Sequence, residues 1–92
     1  MSTLPVILQV EDREDDVFLL RRALKAADLE AEVRVAVDGQ AAIDYLAAED
    51  KAAHPLPYLV LLDLKLPQRM GLDVLAWIRA QPALRGLIVF VL

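Results

Sequence analysis

Four short apolar runs, the first three each closed by a charged or turn residue and all separated by stretches of helical periodicity, dictate what this chain can fold into. Val6-Ile7-Leu8-Gln9-Val10 is rich in β-branched residues, stops at Glu11-Asp12, and reads as a buried strand. Ala31 to Val37 alternates well enough for a second strand, closed by Asp38-Gly39. Tyr58 to Leu62 is apolar on both faces, which predicts a central strand, and it ends at Asp63. Leu87 to Leu92 is the fourth strand. Between them, Val17, Leu20, Leu24 and Ala27 recur at helical spacing from Glu14 to Ala27. Glu14, Asp15 and Asp16 open that helix, as its dipole favours. Ala42, Ile43 and Leu46 mark a second helix over Gln40 to Ala48, and Leu72 to Ala80 a third that stops short of Pro82. Glu49 to Pro57 and Leu64 to Gly71 are expected to be loops.

This βαβαβαβ order predicts an α/β domain with a parallel sheet, right-handed crossovers and helices on both faces. Ninety-two residues suffice for one domain with a modest core, and a 58% hydrophobic share excludes intrinsic disorder. The net charge of −4 argues against nucleic-acid binding. The chain has no cysteine, so disulfides, thiolate metal sites and thiol nucleophiles are excluded. Its first residues lack the basic region of a signal peptide, and no apolar run reaches membrane-spanning length. A soluble, cytoplasmic protein without membrane contact is expected.

Sites in open α/β sheets form at the carboxyl ends of strands, where strand order reverses. Glu11 and Asp12 follow the first strand and Asp63 the third, so neighbouring strands would bring three carboxylates into one cleft. Converging carboxylates repel, and one stays protonated unless a cation neutralises the group. Hard oxygen ligands in a partly hydrated cleft suit Mg²⁺, and the neutralised site leaves a carboxylate able to attack phosphorus. Acids such as Glu11 and Asp12 also cap or flank strand-to-helix turns without any ligand. Asp63 is the more telling position, because a carboxylate after five apolar residues needs a reason to be there.

Val10-Glu11-Asp12, Asp16, Asp38-Gly39, Leu61-Leu62-Asp63-Leu64, Leu66-Pro67 and Gly71-Leu72 together resemble the receiver domain of two-component response regulators. The stretch Asp38 to Leu46 and Trp77-Ile78-Arg79 are more specifically similar to stand-alone receivers that partner bacterial phytochrome kinases. The resemblance covers essentially all of residues 1–92 and implies a flavodoxin-like doubly wound sheet, here its first four strands and three helices. It implies that Asp63 accepts a phosphoryl group from a sensor histidine kinase. It further implies that Mg²⁺ is held by Asp12, Asp63 and the main-chain carbonyl of Lys65, with Glu11 acting through bound water. The domain would then be a phosphoacceptor, with autodephosphorylation as a side activity, and would signal by exchanging protein partners.

The family also has a hydroxyl residue after the fourth strand and a lysine after the fifth, and this sequence stops before either. A single receiver domain truncated after its fourth strand is therefore expected. In the family the last helix helps to cover the face bearing the first helix, and Phe18 and Leu19 widen that helix's apolar side as expected if a second element packs on it. A natural chain of this length would need a homodimer to cover the same surface. Met70 stands where relatives carry an acid or asparagine, and Arg13-Glu14 where they often carry asparagine and proline.

His54 reads as a solvated loop residue, Trp77 and Tyr45 as helix-face packing, and Arg21, Arg22 and Lys25 as a solvated helix face. Three other functions compete with the phosphoacceptor. A receiver-like docking or dimerisation module would never be phosphorylated. A haloacid-dehalogenase-type enzyme needs an Asp-x-Asp pair after the first strand, where this chain has adjacent acids. A flavodoxin-type flavin site needs a phosphate loop there, and the acids from Glu11 to Asp16 repel phosphate.

Overall fold

β1 (Val6–Val10) is buried along its whole length because strands flank it on both sides. It pairs in parallel with β2 (Glu32–Ala36) and with β3 (Leu59–Leu62), and β3 pairs in parallel with β4 (Ile88–Val91). The sheet order is β2-β1-β3-β4, so strand order reverses between β1 and β3. This computed structural model describes residues 4–65 and 71–92. The helices are α1 (Glu14–Ala26), α2 (Gly39–Ala47) and α3 (Gly71–Ala80). The expected flavodoxin-like architecture is present, with each element within a residue or two of its predicted ends. Tyr58 precedes β3 proper, but its N–H still donates to the Val6 carbonyl at 2.7 Å.

One face of the sheet carries the core. Leu8 and Val10 of β1 and Val60 and Leu62 of β3 alternate onto it and meet Ala42 and Leu46 of α2 and Val74 and Ile78 of α3. Leu8, Val60, Leu62, Val74 and Ile78 are wholly sealed from solvent. Each such side chain contributes roughly 1.5–3 kcal/mol relative to exposure. Pro82 opens a short 3-10 turn, Pro82–Leu84, which the sequence pattern does not signal beyond ending α3 there. Leu84 and Leu87 from this connection plug the end of the core.

The other face is sparsely covered. The periodicity of α1 predicts a buried stripe, yet no residue of α1 is buried; Val17, Leu20 and Leu24 reach only half-burial and Ala27 is exposed. Phe18 and Leu19 lie open at 59% and 57%, and Arg22 stacks over the Phe18 ring at 5.8 Å. Ile88 and Phe90 of β4 are exposed as well.

α2 begins where Asp38 caps it, its carboxylate accepting from the Ala41 N–H at 2.7 Å. The loop after α2 folds back onto the helix, with the Tyr45 hydroxyl donating to the Pro55 carbonyl at 2.6 Å and Lys51 donating to Leu46 at 3.1 Å. His54 is thereby more enclosed than its loop position suggests. It is half-buried, edge-on to Tyr45 at 5.3 Å, and its buried Nδ1 has no partner among the described residues. Trp77 packs against the core as expected.

Candidate acidic site

The reversal of strand order sets β1 beside β3, and their register aligns Val10 with Leu62. The residues that follow, Glu11-Asp12 and Asp63, therefore leave the sheet at the same level. Pairing continues one step past the strands. The Glu11 N–H donates to Ala36 at 2.9 Å, and the Asp63 N–H to Val10 at 3.3 Å. Carboxylate oxygens of Glu11, Asp12 and Asp63 come within 4.8 Å of one another. Glu11 is buried, Asp63 half-buried and Asp12 exposed, so the cluster runs from the sheet outward to water.

Such proximity has an electrostatic cost. Burial pushes the Glu11 carboxyl above the ordinary carboxylate value; the Arg13 N–H bond to it opposes this, while the charges of Asp63 and Asp16 push it further up. That bond is 3.2 Å long, and the neighbouring Asp12 carboxyl also raises Glu11. Asp63 is oriented from its other side, where the Lys65 N–H donates to its Oδ1 at 2.9 Å. Oxygen donors of this kind, under-compensated and open on one side, fit a hard divalent cation. Glu11, Asp12 and Asp63 are the residues that can hold it.

Two neighbours escape a reading of spacing alone. Asp16, in the first turn of α1, is half-buried and adds its charge to Glu11's surroundings while meeting Arg13 at 3.7 Å. Gly71, which the pattern marks only as the end of a loop, packs against the main chain that follows β3. A Cβ there would fall 2.6 Å from the Asp63 carbonyl oxygen. Pro67 and Met70 lie outside the described residues.

The response regulator receiver domain family model matches residues 7–92. The chain belongs to this family. As a receiver domain, it is 40% identical to the response regulator Rcp1 of a Synechocystis species over 88 residues, covering 95% of this chain and 60% of that protein. It is 38% identical to a probable methanogenesis regulatory protein, FilR2, of Methanothrix harundinacea, covering 95% of this chain and 56% of that protein. Among solved structures, the bacteriophytochrome response regulator AtBRR aligns with a TM-score of 0.83 at 41% identity, covering 98% of this chain and 66% of that one. The Mn²⁺-bound form of Rcp1 aligns at 0.85 and 39% identity, covering 95% and 63%. This receiver thus spans about three-fifths of the length of the curated relatives it matches.

Proposed function

We propose that this receiver accepts a phosphoryl group on Asp63 from the phosphohistidine of a sensor histidine kinase. The observation that carries the reading is the convergence of Glu11, Asp12 and Asp63 within 4.8 Å at the switch point of the sheet. A carboxylate oxygen of Asp63 attacks phosphorus in line, an O–P bond forms as the N–P bond breaks, and the imidazole nitrogen leaves with the electron pair. The product is an acyl phosphate on Asp63.

Mg²⁺ is the proposed cofactor, held by Asp12, Asp63 and the Lys65 main-chain carbonyl, with Glu11 through water. When bound it offsets charge on the carboxylates and the transferring phosphoryl oxygens. The chain's own part is positional. β1 and β3 hold the carboxylates at one level, and the Lys65 N–H aims one oxygen of Asp63. Phosphorylation then adds about 1.5–2 negative charges, enough to change which partner the surface binds.

Likeness to bacteriophytochrome response regulators at 41% identity supports a phytochrome-type kinase as the donor. No described helix is long and apolar enough to cross a membrane, and the proposed setting is cytoplasmic. Exposed Phe18, Leu19, Ile88 and Phe90 support a homodimer as the working form.

Intact-mass measurement after acetyl phosphate and Mg²⁺ tests the reading. One phosphoryl adduct is expected, dependent on Mg²⁺ and abolished by Asp63→Asn. No adduct, or one that survives Asp63→Asn, overturns it.

A further inference from the structure

The middle of β1 carries a polar side chain where hydrocarbon would serve the sheet better. Gln9 is 5% exposed and stands in register between Val35 of β2 and Leu61 of β3, on the face that α1 covers. A methionine or leucine at this place would leave no polar atom to satisfy, so the amide needs an explanation. Its Nε2 donates to the main-chain carbonyl of Asp16, in the first turn of α1, at 3.3 Å. Among the described residues this is the only side-chain hydrogen bond between α1 and the sheet. It matters the more because no residue of α1 is buried.

The other end of the amide, Oε1, is buried and without a partner among the described residues. Exchanging nitrogen for oxygen would set two acceptors against each other, so the orientation is fixed by chemistry. Gln9 also lines a cleft of about 390 Å³ with Glu11, Asp16 and Asp63, so one side chain joins α1's first turn to the acidic site. A glutamate here could not donate when ionised, an asparagine would be one methylene shorter, and a lysine would add a charge beside the carboxylates. A glutamine supplies a neutral donor of sufficient reach, and its orphaned oxygen is the consequence.

We propose that Gln9 is a positioning residue for phosphoryl transfer: its amide nitrogen pins the first turn of α1, and with it Asp16, at a fixed place beside Asp63. The proposal rests on the reading of Asp63 as the acceptor. It acts through the backbone of Asp16 and touches no reacting atom.

Gln9→Met and Gln9→Leu, two apolar side chains of different shape, test it by three readouts in the full chain. Removing the orphan acceptor should leave the melting temperature equal or higher. Hydrogen exchange at the amides of Asp16 and Val17 should nevertheless quicken by about tenfold. With acetyl phosphate and Mg²⁺, the maximal rate of Asp63 phosphorylation should fall by about fivefold, while the half-saturating donor concentration moves by less than about twofold. An unchanged maximal rate, or unchanged exchange in α1's first turn, overturns the proposal. Loss of the fold in both variants also overturns it, because the amide would then serve the sheet and not the site. If the parent chain takes up no phosphoryl group, the reading of Asp63 fails, and exchange at Asp16 and Val17 still decides whether Gln9 pins the helix.

Discussion

Gly71 lies directly against the main chain of Asp63, so that a methyl group on its Cα would sit 2.6 Å from the Asp63 carbonyl oxygen and 2.7 Å from the Cα of Leu64. Both separations are far inside van der Waals contact, and the atoms met are backbone, which cannot swing aside. The Gly71 N–H closes the junction by donating to the Leu64 carbonyl at 3.3 Å. The backbone of Asp63 is therefore held from two sides, by β3 before it and by the start of α3 behind it.

Gly71→Ala is expected to destabilise the fold by about 1–3 kcal/mol, the range for forced overpacking, and to slow phosphoryl uptake at Asp63. Gly86→Ala is the matched control, since a Cβ there meets nothing within 4 Å. Its effect should stay within about 0.5 kcal/mol. Urea unfolding and the mass-increment assay read the two effects separately.

Without a cation, Glu11 responds to pH in a defined direction. Its folded-state pKa is raised above the ordinary carboxylate value, chiefly by burial. Its contribution is therefore full below the unfolded pKa and is lost as pH rises through the folded one. Glu11→Gln should flatten this loss, so the stability difference between parent and variant in chelator shifts in the variant's favour from about pH 4 upward. Urea midpoints across that range check the sign; a difference that does not change with pH contradicts it.

Mg²⁺ should restore what the repulsion removes. At a concentration a hundred times its dissociation constant, a ligand bound only by the folded state adds about 2.7 kcal/mol. A rise in melting temperature on adding Mg²⁺ is expected for the parent, and its loss in Asp12→Asn and Asp63→Asn. Calorimetric scans with Mg²⁺ and with chelator measure this without any phosphoryl donor.

The two faces of the sheet should differ sharply in tolerance. Ile78 is wholly buried between α3 and the sheet, whereas Phe18 on α1 is 59% exposed. Ile78→Ala should cost about 2–5 kcal/mol and Phe18→Ala within about 0.5 kcal/mol at low protein concentration. If the proposed homodimer forms over α1, Phe18→Ala should also weaken it, which sedimentation at rising concentration detects.

How much of this was legible before folding depends on how local each signal is. The run from Val6 to Val10 announces a buried strand because nearly every side chain in it is apolar, and the abrupt acids after it and after Leu62 mark the site. The same run conceals Gln9, since one polar residue among four aliphatics reads as noise until α1 is seen above it. Gly71 reads as punctuation in the sequence because its function is a close approach to residues that the chain reaches only through tertiary packing. The stripe on α1 shows the difference between direction and depth: periodicity gives the direction of a face, while the depth of burial depends on what else lies on the sheet. His54 illustrates the same limit, since Tyr45 encloses it only after the loop folds back on α2.

The adjacency of β1 and β3 has a kinetic side. Glu11 and Asp63 are separated along the chain by α1, β2 and α2, and they meet only when β1 closes against β3. No local segment can assemble the whole cluster, because Asp63 joins the adjacent Glu11 and Asp12 only after the intervening loop entropy has been overcome. Cation affinity is thus a gauge of sheet closure: during refolding it should emerge with the last long-range contacts, after helical signal has already developed.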